Sequence, residues 1–218
     1  MPTTVPAHRP DRESGEPRSF VLYVEGPRDR SILRAWANRL IPEHAPALLA
    51  GAVILGGRRP ARALEHFRGL AGAARALCVL DRDGDDLATP GAEDGLQFFT
   101  WRRRHIESYL LVPAAIRRAL ALPPGDRRIE TALDGDLPAP DDAAAWRALD
   151  AKRLLGDRGP LARVLGRPLP LARIARATRE DELHEDVHHV FAQLRRGLAR
   201  IAEPRGRRGG RSTPRRAR

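Results

Sequence analysis

The chain is poor in the residues that crosslink small proteins or let a protein cross a membrane. It has one cysteine, Cys78, among 218 residues, so neither a disulfide framework nor a cysteine-based zinc ribbon can form within it. Its hydrophobic runs stay far below the roughly 20 residues that span a bilayer, and its first residues contain no apolar signal core. We therefore expect a cytoplasmic protein with a reduced cysteine and no membrane partner.

Lysine is also almost absent. Of the 39 basic residues, 38 are arginines and one, Lys152, is a lysine; against 28 acidic residues they give a net charge of +11. Residues 205–218 hold seven arginines and no acid. A tail of this composition is expected to be disordered and to bind polyanions through phosphate contacts, or else to be a solvated segment with no specific role. The predicted nucleic-acid-binding residues of this tail are Arg205, Arg207, Arg208, Arg211, Arg215 and Arg216.

A short acidic segment follows an uninterrupted apolar run. Residues 76–80 are all apolar, which predicts a strand buried on both faces, and four aspartates lie within the next six residues. Ligands of open α/β sheets bind beyond the carboxyl ends of the strands. We therefore expect Asp81 and Asp83 to share a hard divalent cation such as Mg²⁺. The alternative is that these aspartates only solvate a turn.

A second apolar run, residues 20–24, ends in a further acid, Glu25. Pro27 suits the first turn of a helix, and apolar residues at helical spacing continue to Pro42. That helix carries Asp29 in its first turn, so both acids should lie at the same edge of the sheet as Asp81. Asp29 could instead serve only to stabilise the amino terminus of the helix.

The remaining elements indicate an α/β fold. Strands are predicted at 52–55 and 96–100, with a helix at 62–74 between the second and third strands, and this alternation implies right-handed crossovers and a parallel sheet. Further helices are predicted within 101–111 and at 143–155, 160–177 and 181–201. The predicted organisation is a disordered leader (1–18), an α/β core (19–122), a loop (123–142), a helical extension that completes the domain (143–203) and the arginine-rich tail (204–218).

Three motifs in order resemble a known family. They are Val-Glu-Gly-x-x-Asp at 24–29, Leu-Asp-x-Asp at 80–83 and Arg-x-Ile-Glu-x-Tyr-Leu-Leu at 104–111. The chain thereby resembles the Toprim domain of OLD-family (overcoming lysogenization defect) nucleases over roughly residues 20–200. The resemblance implies a four-stranded, mainly parallel sheet between helices. It also implies a site, with metal ligands Glu25, Asp29, Asp81, Asp83 and Glu107, and with catalytic residues Glu25, Asp81, Asp83 and Lys152.

The function implied by this resemblance is that of a metal-dependent endonuclease, a hydrolase of phosphodiester bonds. Two Mg²⁺ or Mn²⁺ ions would stabilise the attacking and leaving oxygens, and the ammonium of Lys152 would support the phosphate. The expected partner is nucleic acid, DNA before RNA. The sequence has no Gly-x-x-x-x-Gly-Lys-Ser/Thr, so we expect a stand-alone Toprim protein without the ATPase; a separate ATPase partner and a homodimer are left open.

Other functions compete with this one. The domain could bind metal, nucleic acid or a partner ATPase without cleaving anything. A haloacid-dehalogenase-like phosphatase would use Asp81 as nucleophile and Asp83 as general acid/base, with Thr100 and Lys152 as its later motifs, but Glu25 would then have no task. Glu107 could simply pair with Arg103 or Arg104 on the surface.

Two metal motifs are matched only in part. Residues 184–188 read His-Glu-Asp-Val-His, the spacing of a zinc protease, but the apolar stripe of that helix leaves both histidines on its flank. The plain interpretation is a helix with two half-exposed histidines. An EF-hand loop starting at Asp81 fails because its sixth position requires glycine and holds Asp86.

Overall fold

The central element of the computed structural model is a four-stranded sheet. The structure describes residues 19–70, 74–82, 91 and 93–202. The strands are β1 (Phe20–Val24), β2 (Val53–Ile54), β3 (Arg75–Leu80) and β4 (Leu96–Thr100). Their order across the sheet is β2-β1-β3-β4, and every pair is parallel. The predicted α/β class is confirmed, and the described sheet is wholly parallel rather than mainly so.

Helices surround this sheet. They are α1 (Pro27–Leu40), α2 (Ala45–Ala50), α3 (Pro60–Arg68), α4 (Pro113–Leu120), α5 (Arg128–Leu133), α6 (Ala143–Ala148), α7 (Ala151–Leu155), α8 (Pro160–Leu165), α9 (Leu171–Ala177) and α10 (Glu185–Ala202). Two 3₁₀ helices, Ile106–Leu110 and Glu180–Glu182, precede α4 and α10. None of the helices within the described ranges is both long and apolar enough to cross a membrane.

The two faces of the sheet are buried in separate clusters. Alternate strand residues such as Leu22 and Leu77 belong to the larger cluster, which includes residues of α1, α4, α9 and α10. Their neighbours Tyr23 and Cys78 point to the other face and pack with α3. Because side chains alternate across a strand, continuous apolar runs are needed where both faces are covered. This explains why β1 and β3 contain no exposed residue.

Tight packing of α10 on the sheet depends on a glycine. A Cβ at Gly197 would lie 2.3 Å from the ring of Phe20, at the start of β1. Helix α10 can approach the sheet this closely only because Gly197 has no side chain. The long helix α10 therefore packs directly on the strands.

Several predicted boundaries need correction. Helix α3 ends at Arg68 rather than continuing to 74, and the segment predicted as a helix after β4 is a single 3₁₀ helix. The stretch 123–142, predicted to be a loop, contains α5. The helices predicted at 143–155 and 160–177 are each divided in two, the first because Asp150 accepts a hydrogen bond from the Arg153 amide and starts α7 as a new helix.

Candidate active site

Two acids that are distant in the sequence lie in contact beyond the carboxyl ends of β1 and β3. These strands are neighbours, with Val24 paired to Val79, so the residues that follow them emerge side by side. The backbone amide of Asp81 donates a hydrogen bond of 2.8 Å to Oε1 of Glu25, across 56 residues of sequence. Glu25 is 6% exposed and Asp81 is 1% exposed. The predicted convergence of these two acids at one edge of the sheet is present in the structure.

The backbone around Glu25 is held by the end of β2. The amides of Gly56 and Gly57 both donate to the Glu25 carbonyl, at 2.9 and 3.0 Å. Both glycines have positive φ angles, 77° and 109°, and side-chain-bearing residues rarely adopt this conformation. The two glycines thus let the chain turn close to the acid, which fixes the direction in which its carboxylate leaves the sheet.

Both carboxylate oxygens of Asp81 have defined partners. Oδ1 accepts a hydrogen bond of 2.8 Å from the backbone amide of Ile106, which lies in the segment after β4. Oδ2 lies 2.7 Å from Nζ of Lys152, in α7. The carboxylate is buried, whereas the lysine side chain is 41% exposed. Asp81 therefore joins three parts of the chain, and the only lysine of the sequence is its counter-charge.

Two further acids, Asp29 and Glu107, surround this pair. Burial raises the pKa of Asp29 to about 6, and the charge of Asp81 adds to the effect. Burial likewise raises the pKa of Glu107 to about 7; Asp81 and Asp29 raise it further, while the ammonium of Lys152 lowers it. Asp29, Asp81 and Glu107 thus share one electrostatic environment, in which the ammonium of Lys152 offsets only part of their repulsion.

Glu107 is the acid least satisfied by its surroundings. It is 1% exposed, and its Oε2 is buried with no hydrogen-bond partner among the described residues. Its Oε1 forms an ion pair with the half-exposed guanidinium of Arg28, at 3.8 Å, which is too far for a hydrogen bond. Among the described residues the arginine that pairs with Glu107 is therefore one of α1, and not the expected Arg103 or Arg104. A buried oxygen without a donor can receive a cation at little cost.

The donor set suits a hard divalent cation. Its members are all carboxylates, the ligands that Mg²⁺ and Mn²⁺ prefer, and burial, with repulsion from neighbouring carboxylates, raises the pKa of Asp29 and Glu107. In the described part of the chain, however, no three acidic, histidine or cysteine side chains are grouped closely enough to hold an ion. In addition, Lys152 occupies Oδ2 of Asp81. Metal binding at that oxygen requires the ammonium to move away.

Several predicted site residues lie outside the described residues. These are Asp83 in the acidic segment and the tail arginines Arg205, Arg207, Arg208, Arg211, Arg215 and Arg216. Asp83 follows Asp81 by two residues, so its predicted role as a ligand stays a prediction.

One residue that contributes to the site has no signal in the sequence. Arg58 donates a hydrogen bond of 2.7 Å from Nη1 to the carbonyl of Asp81, and its Nη2 is buried with no partner among the described residues. Arg58 is one of 38 arginines and lies in a loop after β2. Only the placement of that loop beside β1 brings it to Asp81, so periodicity and motif spacing could not have identified it.

The His-Glu-x-x-His sequence belongs to a different network. Nδ1 of His184 accepts a hydrogen bond of 3.1 Å from the Asp186 amide, at the start of α10. Asp186 is 1% exposed and accepts a hydrogen bond of 2.5 Å from Tyr109 Oη. His188 is exposed on the helix surface. The buried acid of the motif thus joins α10 to the segment after β4, which is a structural role and agrees with the plain interpretation of this helix.

The single cysteine is in an environment that makes its thiol unreactive. Cys78 is free and fully buried in β3. Burial raises the pKa of its thiol to about 12, and the nearby charge of Glu25 contributes. Because the thiolate is the reactive form, Cys78 serves as a small core residue, as the sequence predicts.

Comparisons with models of protein families, with curated proteins and with solved structures found no match to this chain.

Proposed function

We propose that this protein is a metal-dependent nuclease with a Toprim-like site. The observation that carries the proposal is the hydrogen bond from the backbone amide of Asp81 to the carboxylate of Glu25, which brings the two acids together at the edge of the sheet where ligands of parallel α/β folds bind. Two acids that are buried together without a catalytic or binding purpose would cost the fold stability, because burying charge is unfavourable. Their positions are those that the resemblance to OLD-family Toprim domains assigns to metal ligands.

The residues that would hold Mg²⁺ or Mn²⁺ are acidic side chains that follow β1 and β3 or belong to α1 and the 3₁₀ helix Ile106–Leu110. They are Glu25, Asp29, Asp81, Asp83 and Glu107. When bound, a pair of such ions supplies Lewis-acid stabilisation of the attacking and leaving oxygens of a phosphodiester. The buried oxygen of Glu107 and the pKa values of Asp29 and Glu107, raised by burial and by neighbouring carboxylates, support this role, since a bound cation would stabilise their charged forms.

Lys152 has two states in this proposal. In the structure its ammonium neutralises Asp81. With substrate present, the same ammonium turns to a phosphate oxygen and stabilises the negative charge that develops there. A compact ammonium on a flexible stem can make this change more easily than a guanidinium, which is consistent with a lysine at this position in a chain that otherwise uses arginine.

The substrate of this site is proposed to be nucleic acid, DNA before RNA. The net charge of +11 favours association with a polyanion, and the arginine-rich tail is the segment expected to contact phosphates without regard to base sequence. The resemblance also allows a separate ATPase partner and a homodimer, and the proposal includes both. The cytoplasmic location also stays a proposal, which the buried free cysteine supports.

The decisive experiment combines cleavage with metal binding. The wild-type chain is expected to nick plasmid or degrade single-stranded DNA only when Mg²⁺ or Mn²⁺ is added. Glu25→Gln and Asp81→Asn each remove one charge while preserving shape, and each should reduce cleavage at least about a hundredfold. Titration of Mn²⁺ followed by electron paramagnetic resonance should show weaker binding in both variants.

The matched control is Glu65→Gln, which removes an exposed carboxylate from α3. It should cleave DNA and bind Mn²⁺ like the wild type. Intact DNA with every divalent metal, together with undiminished DNA binding, would overturn the nuclease proposal and favour the alternative of a non-catalytic module that binds nucleic acid or a partner protein.

A phosphatase remains the second candidate because one contact also suits it. The pairing of Asp81 with Lys152 at 2.7 Å would fit an aspartate nucleophile beside its lysine, as in haloacid-dehalogenase-like enzymes. The two candidates differ in substrate. A nuclease should hydrolyse the diester bis-p-nitrophenyl phosphate faster than the monoester p-nitrophenyl phosphate, and the reverse order would favour the phosphatase.

A further inference from the structure

A cavity of about 310 Å³ lies beside the candidate site and has no role in the chemistry described above. Its wall combines the first turns of α1 with the end of α7, the start of α9 and the loop before α9. The residues that line it are Pro27, Arg28, Ser31, Leu155, Asp157, Leu169, Leu171 and Ala172.

Two of these residues connect the cavity to the site. Arg28 lies on its wall and approaches Glu107 to 3.8 Å, with half of its own side chain exposed. Leu155 lies three residues after Lys152 in α7, so the two side chains are neighbours on one face of that helix. When a phosphodiester binds at Lys152, the cavity therefore lies next to it, and the adjoining nucleoside can reach the cavity.

The chemistry of the wall fits a neutral, flat, apolar group. Five of the eight lining residues are aliphatic or proline, and the charges of Arg28 and Asp157 offset one another. A second phosphate would find no net positive charge there. Binding pockets for small molecules are typically lined in this way, with apolar surface and a few polar groups, and start at roughly 300 Å³. The volume suits one nucleoside.

We infer that this cavity holds one unstacked nucleobase of the substrate, next to the phosphate at Lys152, and that the protein therefore acts on single-stranded nucleic acid. This inference rests on the proposed nuclease function. A base can enter the cavity only after it leaves the stack of a duplex, which costs free energy. In a single strand the base is already accessible, and it can pack on the leucines and on the guanidinium plane of Arg28.

The test measures binding to strands of equal charge. The full chain, in Ca²⁺ instead of Mg²⁺ to prevent cleavage, is titrated into three fluorescein-labelled 12-mers, which are single-stranded DNA, the same strand in a duplex, and a strand of abasic residues. Since one buried base contributes about a tenfold gain in affinity, single-stranded DNA should bind about ten times more tightly than the abasic strand, and more tightly than the duplex.

A pair of variants tests whether the preference for strands with bases comes from the cavity. Ala172→Leu adds three carbons to the wall and should reduce the preference for bases several-fold. Val164→Leu, on the neighbouring helix α8, is exposed and does not line the cavity, so it should bind all three probes like the wild type. Equal binding of single-stranded and abasic DNA by the wild type, or an unchanged preference in Ala172→Leu, would overturn the inference.

Hydrolysis of bis-p-nitrophenyl phosphate separates this inference from the proposed function, because that diester carries no base. A wild-type protein that hydrolyses the diester but treats abasic and normal DNA alike would retain the nuclease function and lose the base cavity. A protein that prefers bases but hydrolyses no diester would retain the cavity as a binding site and lose the nuclease.

Discussion

The two edges of the sheet, beyond the carboxyl and the amino ends of its strands, differ in the sign and in the burial of their charges. Beyond the carboxyl ends of the strands lie acids that are at most 6% exposed, Glu25, Asp81 and Glu107. At the other edge a small cleft is lined by Arg75, Arg196 and Arg200 together with two glutamines, and the two arginines from α10 are exposed. Glu25 and Asp81 are held in the buried interior by backbone amides and a lysine, whereas the arginines of α10 lie at the protein surface.

This difference separates two kinds of electrostatic surface. A buried charge acts through its position, because the low local dielectric strengthens every nearby interaction. An exposed cation acts mainly through its contribution to the total field, which salt screens. We therefore expect changes at the acidic edge to alter chemistry and stability, and changes at the basic edge to alter only the strength of binding to polyanions.

After the losses expected for Glu25→Gln and Asp81→Asn, the largest effect at the acidic edge should come from Lys152→Met. Loss of the ammonium should reduce DNA cleavage about a hundredfold, the usual result of removing one group that stabilises charge in a transition state. The same change frees Oδ2 of Asp81 from its partner, so Mn²⁺ should bind more tightly. Calorimetric titration of Mn²⁺ alongside plasmid nicking measures both quantities.

The control for that experiment is the adjacent residue. Arg153→Met removes a charge from the same helix, but that guanidinium is exposed and pairs with Asp136. It should leave cleavage and metal affinity unchanged. If Lys152→Met weakened Mn²⁺ binding, the lysine would be a support for the ion site and not a competitor of the ion.

The next effect is on stability. In the folded protein without metal, Glu107 keeps its proton up to a pKa of about 7, whereas the unfolded chain releases it near 4.5. Between these values the folded state binds more protons, so the free energy of unfolding falls as the pH rises from about 4.5 to 7 and is then level. The loss is on the order of 3 kcal/mol for a shift of this size.

Glu107→Gln should remove most of that pH dependence. Urea denaturation of the metal-free protein at pH 5 and at pH 7.5 measures it as a change in midpoint. Glu65→Gln, at an exposed position, should keep the wild-type dependence. An equal loss of stability with pH in the wild type and in Glu107→Gln would mean that this carboxyl group does not titrate in the window.

At the basic edge and in the tail, the expected effects are on salt dependence. Removal of residues 204–218 deletes seven arginines. The slope of log affinity for DNA against log salt should become shallower by several units, since each phosphate contact contributes about 0.9. Metal binding should not change. A truncated chain with the full wild-type slope would show that the tail does not contact phosphates.

The smallest effect is expected from single arginines of the cleft. Arg196→Ala should reduce the salt slope by about one unit if that side chain contacts a phosphate. Arg173→Ala, exposed on α9, is the matched control for loss of one positive charge elsewhere. Equal slopes in both variants would mean that the cleft contributes only its share of the net charge.

The sequence was most informative where burial dictates residue type. β1 has the predicted bounds and β3 begins one residue earlier than predicted, because strands covered on both faces must be continuous apolar runs. β4 also has its predicted bounds, although its Gln97 is exposed. The acids that follow β1 and β3 could be placed at one edge because both runs were predicted as strands of one parallel sheet, whose carboxyl ends lie on the same side. Lys152 could be selected only by its resemblance to a family motif and by its rarity, since nothing in its spacing relates it to Asp81.

The short helices were the least predictable part. α5 lies within a segment rich in Pro, Asp and Gly, and α2 and α4 were not predicted. Helices of six to eight residues are marginal by themselves and form because neighbouring elements pack on them. Arg58 was missed for a related reason, because its contact with Asp81 depends on how β2 is placed beside β1.

The pairing of Asp81 with Lys152 spans 71 residues, and this has a consequence for synthesis of the chain. All four strands leave the ribosome before α7 exists, so the acids are first brought together without their counter-cation. Assembly of the sheet is then less favourable, because these acids have no lysine beside them until α7 packs against the sheet. We expect the N-terminal half to remain loosely formed until that moment, and the two halves to fold as one cooperative unit that cannot be divided at residue 142 into independent parts.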